Sequence, residues 1–294
     1  MDPLPYSIGK AAVGAGKPLL IGSLFYKGDR KVKDHNRGVV DCKKLSCELR
    51  AVEALKRRVG LDHAVDLIAE TPEAMESYLS VLSAMTEDPI LIGGLNEETR
   101  IRGYEKAVDL GIVERCGVNS ISSCTADSEL KVMKRCGIRF AILQTLDPSA
   151  IYPEDKIKLL KGSLLAKCDG GGIARAAVDV GIMDFTSAYL ALETIKMVKS
   201  VLGLAAGCAP SNAAYQPLVC KKITRKSARA INVALNTMMQ GAGADFILYG
   251  PLKAATYLFE ATAIVEAIKA YGSRLAGNKI SDKRHPLYTF LPKL

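Results

Sequence analysis

Three polar side chains stand near the ends of apolar segments, at points where buried strands would run out into loops. Asn119 lies in GVNSIS, Asp179 lies in AAVDVGIMDF and Asn212 lies in GCAPSNA. A carboxylate accepts two parallel hydrogen bonds from a donor–donor edge, and an amide both donates and accepts. Brought together, these side chains would form a ring of hydrogen-bonding groups around a flat heterocycle. Their types therefore predict a small-molecule site assembled from separate segments.

Each of the three residues also has a structural alternative. Asn119, followed by Ser120, could simply turn the chain, and Asp179 could cap a short helix. Asn212, two residues after Pro210, could cap the helix that follows. Because all three occupy equivalent positions in separate units, a shared pocket is favoured over three unrelated structural roles.

The segments that carry these residues belong to a regular alternation of apolar runs and stretches of helical periodicity. The apolar runs are KPLLIGSLFY, AVDLIA, PILIGG, CGVNSIS, RFAILQTL, IARAAVD, LGLAAGCAP and ADFILYGP. Continuous apolar runs separated by helices are typical of parallel strands that are covered on their outer face. Eight such units predict a TIM barrel, a (β/α)₈ fold of class α/β.

In a TIM barrel the carboxyl ends of the strands form the active face, so the three polar residues are expected to meet there. We predict one domain over residues 1–294, with a short N-terminal lead and a C-terminal tail from about residue 273 that packs across the barrel or mediates subunit contact. A doubly wound open sheet is the alternative. It is less favoured because no G-x-G-x-x-G follows the first strand.

Composition and charge exclude several other classes of protein. Hydrophobic residues make up 49% of the 294-residue chain and charged residues 24%, as in globular domains. No segment approaches the roughly 18 uncharged apolar residues of a membrane-spanning helix, and the N-terminus lacks a secretory h-region. The net charge is +9, but the basic residues are spread through helices without interleaved aromatics, which favours a solvated face over a nucleic-acid groove.

Cysteine and histidine spacing predicts no metal site. The eight cysteines form no C-x-x-C pair, and the three histidines lie far apart, so no zinc site is expected. Several thiols lie in apolar contexts, where free cysteine behaves as a small hydrophobe. The chain is therefore predicted to be cytoplasmic, in a reducing compartment.

The motifs together carry a resemblance to a known family. GADFILYGPL, GCAPSNA, AETPEAMESYL with PILIGG, GVNSIS and AVDVGIMD resemble the H subunit of tetrahydromethanopterin S-methyltransferase and its stand-alone relatives, from about Lys17 to about Gly272. The resemblance implies a pterin-binding barrel that moves a methyl group between N5 of a tetrahydropterin, tetrahydromethanopterin or tetrahydrofolate, and the cobalt of a corrinoid. The D-x-H-x-x-G corrinoid signature is absent. A corrinoid-binding partner protein is therefore expected, together with a homodimer.

The resemblance also assigns roles to the polar residues. It implies that Asp179 accepts hydrogen bonds from N3 and the 2-amino group of the pterin, and that Asn119 contributes a second polar contact. Asn212 would approach N5, where its hydrogen bond favours departure of the methyl group. A tertiary amine is a poor leaving group, so Asp184, or a water held by Asn212 and Asp184, is the expected proton donor. A loop-stabilising role for Asp184 is the alternative.

One position departs from the family pattern. Where the third strand of the family typically ends in Leu-Ile-Asp, this chain reads PILIGGLN and has Gly93. The missing carboxylate removes a charge-assisted hydrogen bond of about 1.5–3 kcal/mol. We expect Asn96 to compensate. The short fifth strand of ILQTLDPS makes Gln144 a further pocket candidate, with a buried structural glutamine as its alternative.

Two other functions are compatible with the same motifs. The protein could be a non-catalytic pterin-binding subunit of a methyltransferase complex, in which case Gly93 would mark lost chemistry. It could also be a condensing enzyme of the dihydropteroate synthase type. A resemblance to that class would imply a phosphate pocket lined by lysine and arginine on late strands, and the strand ADFILYGPL ends without either residue.

Overall fold

Eight parallel strands close into a barrel in the computed structural model, which describes residues 1 and 4–293. The strands of the described residues are β1 (Tyr6–Ile8), β2 (Ala11–Val13), β3 (Leu19–Leu24), β4 (Val32–Asp34), β5 (Val39–Val40), β6 (His63–Ala69), β7 (Ile90–Gly94), β8 (Cys116–Ile121), β9 (Phe140–Gln144), β10 (Arg175–Asp179), β11 (Ala205–Cys208) and β12 (Phe246–Pro251). The barrel order is β3, β6, β7, β8, β9, β10, β11, β12, with β12 pairing back to β3. The predicted TIM barrel is confirmed, and each of the eight apolar runs overlaps one barrel strand.

Helices cover the outer face of the barrel. They are α1 (Cys42–Val59), α2 (Pro72–Met85), α3 (Glu97–Asp109), α4 (Asp127–Cys136), α5 (Pro153–Leu159), α6 (Leu165–Gly171), α7 (Ser187–Leu202), α8 (Pro210–Val219), α9 (Arg225–Gly241), α10 (Ala255–Leu275) and α11 (Pro286–Thr289). A π-helical turn over Leu160–Leu164 joins α5 to α6. Within the described part of the chain, no helix is both long and apolar enough to cross a membrane.

The strand period of two divides the apolar residues between two cores. Leu19, Ile21 and Ala64 belong to a cluster inside the barrel, whereas their neighbours pack against the helices. The next inward positions towards the carboxyl ends are Ser23 on β3 and Asp66 on β6. The same alternation turns a ring of further residues inward, and these are Gly93, Asn119, Gln144 and Asp179.

A hairpin of β1 and β2 closes the amino end of the barrel. Tyr6, Ile8, Ala11 and Val13 join the interior cluster, and the hydroxyl of Tyr6 donates a 2.8 Å hydrogen bond to the carbonyl of Ala176. These side chains block the amino end of the barrel. The end formed by the carboxyl ends of the strands is the accessible one.

The C-terminal tail packs beside the barrel on its own chain. Helix α11 contacts α1 and α10, and the guanidinium of Arg58 lies 5.6 Å from the ring centre of Phe290. Gly60, which ends α1 with φ 72°, allows this approach, because a Cβ atom there would stand 1.6 Å from the carbonyl oxygen of Arg284. The single-domain boundary over residues 1–294 stays a prediction.

Candidate active site at the mouth of the barrel

Asp66 places a buried carboxylate at the mouth of the barrel. Its side chain is held by neighbours from two other strands: Ser23 Oγ donates to Oδ2 at 2.8 Å, and Asn119 Nδ2 donates to Oδ1 at 2.9 Å. Burial raises the pKa of Asp66 above its ordinary value, while the two hydrogen bonds favour the ionised form and oppose that rise. Asn119 therefore reaches the predicted site, and its amide there is oriented by a carboxylate.

Asp179 is a second buried carboxylate on the inner side of the barrel. Its Oδ1 atom accepts a 2.9 Å hydrogen bond from the backbone N–H of Gly181. Burial raises the pKa of Asp179 from 3.8 to about 6, and repulsion from Asp66 adds to the rise. The Gly181 N–H and the charge of Lys156 oppose it. The carboxylate of Asp66 thus raises the pKa of Asp179 across the same mouth.

Lys156 lies behind Asp179 and is also buried. It extends from α5, and its Nζ donates to the carbonyl oxygen of Val180, the residue after Asp179. Burial lowers the pKa of Lys156, and attraction to Asp179 opposes that fall. Because this lysine belongs to a segment rich in surface lysines, no sequence pattern singled it out.

Gly93 faces the same mouth, next to Asp66. A Cβ atom at Gly93 would stand 3.6 Å from Oδ1 of Asp66, and 3.0 Å and 3.2 Å from the carbonyl oxygens of Leu67 and Asn119. Strand β7 provides no carboxylate here. The carboxylate of Asp66, on the neighbouring strand β6, therefore occupies this side of the mouth.

Asn96, expected to compensate for Gly93, is the N-cap of α3. Its Oδ1 atom accepts a 2.8 Å hydrogen bond from the backbone N–H of Thr99. Asn96 also lines a cavity of about 440 Å³ at the mouth, together with Asn119 and Gln144. The structure thus brings Asn96 and Gln144 to the site region. The Oδ1 atom of Asn96 is, however, already engaged as the N-cap acceptor of α3.

The wall of this smaller cavity contains a buried ion pair. Arg100 donates two hydrogen bonds to Glu129, at 2.7 Å and 2.6 Å, and the Tyr104 hydroxyl donates to the same carboxylate at 2.7 Å. Arg100 also donates to the carbonyl oxygen of Gly94 at 3.1 Å. This network fixes the loop after β7 against α4.

Asn212 lines a second, larger cavity of about 1030 Å³, to which Ser23 also contributes. It stands in the first turn of α8, directly after β11, and its side chain is exposed. Among the described residues no partner hydrogen-bonds this amide. Ser23 lines the larger cavity and Asn119 lines the smaller one, so the Asp66 cluster lies between the two.

Asp184 is placed differently. It is exposed, and its Oδ1 atom accepts hydrogen bonds of 2.8 Å from the Thr186 hydroxyl and from the Ser187 backbone N–H. These hydrogen bonds lower the pKa of Asp184. The contacts favour the loop-stabilising alternative over a proton donor.

Asp66 and Ser23 were not among the residues predicted for the site. The signal for Asp66 was present, because an acid inside the apolar strand AVDLIA is costly to bury unless it is hydrogen-bonded. Counting two positions on from an inward Ala64 places Asp66 on the barrel interior. Ser23 follows Ile21 in the same way, but serine in a strand is a weak signal on its own.

Solved structures of similar fold include dihydropteroate synthases. The Yersinia pestis enzyme with a pterine-sulfa conjugate superposes with a TM-score of 0.66 at 14% identity, over 91% of this chain and 100% of that chain. The Xanthomonas albilineans enzyme with 7,8-dihydropteroate gives 0.59 at 13% identity, over 86% and 94%. At these identities the likeness shows the fold alone.

Sequence relatives extend over nearly the whole chain. The H subunit of tetrahydromethanopterin S-methyltransferase from Methanothermobacter marburgensis is 28% identical over 284 residues, covering 93% of this chain and 91% of the relative. The H subunit from Methanosarcina acetivorans is 25% identical over 303 residues, covering 96% of each. The family model for the tetrahydromethanopterin S-methyltransferase MtrH subunit matches residues 7–280. The resemblance stated from the motifs is therefore confirmed, and the chain belongs to the MtrH subunit family.

Proposed function

We propose that this protein transfers a methyl group between N5 of a tetrahydropterin, either tetrahydromethanopterin or tetrahydrofolate, and the cobalt of a corrinoid held by a partner protein. The observation that carries the proposal is the pair of buried carboxylates, Asp66 and Asp179, at the mouth of a barrel of this family. Buried acids without a salt-bridge partner at strand ends destabilise the protein, and such groups cluster at functional sites.

The carboxylates suit the hydrogen-bonding edge of a pterin. N3 and the 2-amino group are adjacent donors, which one carboxylate can accept together. We assign this edge to Asp179. Asp66, oriented by Ser23 and Asn119, accepts from the ring on the side where β7 offers only Gly93. Asn96 and Gln144 supply further polar contacts from the wall of the smaller cavity.

Asn212 is the residue proposed to act at N5. When the methyl group leaves, the electron pair of the broken bond remains on N5, which must take up a proton. The Asn212 amide can hydrogen-bond to N5 or to a water beside it, an interaction that strengthens as N5 gains proton character. We propose that a water held by Asn212 relays a proton from the solvent to N5, since the Asp184 carboxylate is engaged by Thr186 and Ser187.

Exposed apolar side chains around the mouth support the docking of a partner. They follow the carboxyl ends of the barrel strands and include Leu95, Ile151, Tyr152, Met183, Phe185, Tyr189 and Val219, which are 49–79% exposed. Exposed apolar surface of this kind marks interaction sites. Because the methyl group must pass directly from nitrogen to cobalt, the corrinoid protein would have to cover this end of the barrel.

A homodimer is the second proposed association. Helix α10 exposes Ile268, Tyr271 and Leu275 on its outer surface, and these side chains are 64%, 54% and 74% exposed. This surface lies on the outside of the barrel, so a second copy there would leave the mouth accessible to the corrinoid protein. Sedimentation of the isolated chain tests the association.

Calorimetric titration with tetrahydrofolate and with tetrahydromethanopterin tests the proposed site. Binding of at least one is expected, and no heat with either ligand up to millimolar concentrations would contradict the proposal. Transfer is followed separately by loss of the Co(I) absorption band when methylated pterin, corrinoid protein and this protein are combined. Pterin binding without any loss of that band would instead identify a non-catalytic pterin-binding subunit.

A further inference from the structure

One side of the larger cavity carries three basic side chains, Arg225, Arg229 and Lys253, which we call the cation cluster. The two arginines lie in the first turns of α9, and Lys253 lies in the short 3-10 turn after β12, one position beyond ADFILYGPL, so the cluster is built by the last two units of the barrel. No aspartate or glutamate of the described residues lines this cavity. The wall is therefore positively charged without a compensating carboxylate.

The cation cluster differs from basic residues elsewhere in the protein that are paired with carboxylates. Lys199 pairs with Asp245 at 2.7 Å, and Lys31 pairs with Asp29 at 2.9 Å. Within the described part of the chain, no member of the cluster makes an ion pair. Three like charges at one wall repel each other, so an arrangement of this kind is favoured by an anionic ligand that binds there.

Aromatic side chains contact one member of the cluster and extend the cavity wall. The guanidinium of Arg229 lies 5.9 Å from the ring centre of Tyr257, whose hydroxyl is hydrogen-bonded to that of Tyr215 at 2.6 Å. Asn232 donates to the Tyr215 hydroxyl at 3.3 Å. The paired tyrosines offer a flat surface for an aryl group and position one cation beside it.

The larger cavity extends from a serine that is bonded to a buried carboxylate to the cation cluster. At its inner end Ser23 hydrogen-bonds to the buried Asp66, and at its outer side it reaches the cation cluster. A ligand with donor groups at one end and negative charge at the other would therefore have only one favourable orientation. Its donor edge would face the carboxylates, and its anionic end would face the cations.

We propose that the cation cluster binds the anionic tail of the pterin substrate, a tail that ends in carboxylates or phosphate, and so fixes the direction in which the pterin enters the barrel. This inference rests on the proposed function. Because the three side chains are exposed, their contribution is screened by salt. Affinity for a tail-bearing pterin should therefore fall as ionic strength rises.

The test compares ligands that share a ring and differ in their tails. Calorimetry would measure the binding of 6-methyltetrahydropterin, which has no tail, of tetrahydrofolate triglutamate and of tetrahydromethanopterin. The triple variant Arg225→Gln/Arg229→Gln/Lys253→Gln should bind the tailed ligands about 10-fold to 100-fold more weakly than the wild type. Its affinity for 6-methyltetrahydropterin should be unchanged, and this second measurement also shows that the variant is folded.

A charge-matched control separates a specific subsite from a general effect of net charge. The variant Arg50→Gln/Lys131→Gln/Lys279→Gln removes three exposed cations outside the two mouth cavities, and it should bind every ligand as the wild type does. Equal losses in the two triple variants would overturn the inference, as would wild-type affinities that do not depend on the tail. If the wild type binds none of the three ligands, the proposed function fails as well.

Comparison of the two ligands that carry a tail shows whether the cation cluster binds phosphate or carboxylates. A loss confined to tetrahydromethanopterin assigns the cluster to phosphate, and a loss confined to the triglutamate assigns it to carboxylates. Loss of cobalamin binding in the triple variant, with all pterin affinities unchanged, would assign the cations to the corrinoid and overturn the inference.

Discussion

The Oδ1 atom of Asp66 lies 3.6 Å from the point at which a Cβ atom on Gly93 would stand. The two residues belong to adjacent strands, β6 and β7, and both face the interior of the barrel. A side chain at Gly93 would also meet the carbonyl oxygen of Leu67 at 3.0 Å, so the site has little room for a second acid. The glycine that departs from the family pattern is therefore compatible with a carboxylate-lined site.

Asp66→Asn tests whether this carboxylate binds the pterin. The amide has nearly the same shape, but the variant loses a charge-assisted hydrogen bond, which contributes about 1.5–3 kcal/mol. Pterin affinity, measured by calorimetry, should fall about 10-fold to 100-fold. The matched control is Asp109→Asn at the exposed end of α3, where no change in affinity is expected. Equal affinities for Asp66→Asn and the wild type would remove Asp66 from the site.

Two substitutions at Asn119 test its role as the donor that holds Asp66. Asn119→Ala leaves a buried carboxylate short of one hydrogen bond, so the free energy of unfolding at pH 7.5 should fall by about 1–3 kcal/mol. Asn119→Asp places a second carboxylate beside the first and should lower the free energy of unfolding further. That extra loss should shrink as the pH is lowered, because one of the two acids then takes up a proton.

Urea denaturation of both Asn119 variants at pH 7.5 and pH 4.5 measures these differences. Asn278→Asp, in the exposed tail, is the control for adding one carboxylate. If Asn119→Asp were no less stable than Asn119→Ala at the higher pH, the contact with Asp66 would not matter in solution.

Asp179→Asn tests the cost of the buried carboxylate. The pKa of Asp179 is raised from 3.8 to about 6, so the folded state holds the proton more tightly than the unfolded state. Stability conferred by this group is complete below about pH 4 and is lost as the pH rises through about 6. Asp179→Asn should therefore be more stable than the wild type at pH 7.5, by up to about 3 kcal/mol.

The same variant should lose pterin binding, because the neutral amide no longer offers two acceptors to N3 and the 2-amino group. Thermal or urea unfolding from pH 4 to pH 8 measures the first effect, and calorimetry measures the second. A constant difference in stability across that pH range would show that the Asp179 carboxylate does not titrate as proposed.

Asp184→Asn and Asp184→Ala distinguish the two roles considered for this residue. Asparagine caps a helix about as well as aspartate, so Asp184→Asn should keep both stability and methyl transfer. Asp184→Ala should lower the free energy of unfolding by about 0.5–2 kcal/mol, since the Ser187 N–H loses its acceptor. If Asp184 donates the proton, both variants should instead lose activity to the same degree, as measured by the Co(I) band.

The eight strand–helix units, and therefore the barrel, could be predicted from the sequence because hydrophobic periodicity is a local property. The same alternation identified Asn119 and Asp179 as strand-end residues, and the motifs identified the family. Only the tertiary structure decided that Asp66 lies between Ser23 and Asn119, since those contacts depend on how neighbouring strands are staggered when the barrel closes.

Three further features of the structure could not be predicted from the sequence pattern. Asp184, five residues after Asp179, turned back onto its own loop, because a short polar loop can satisfy its own backbone donors. Asn96 took the cap of α3. Arg225 and Arg229 belong to the basic helical residues that the charge pattern predicts on a solvated face, and they share one cavity with Lys253 only because the last two barrel units fold side by side. Residue types and periods are fixed by the sequence, whereas the distances between side chains from different units are fixed only by closure of the barrel.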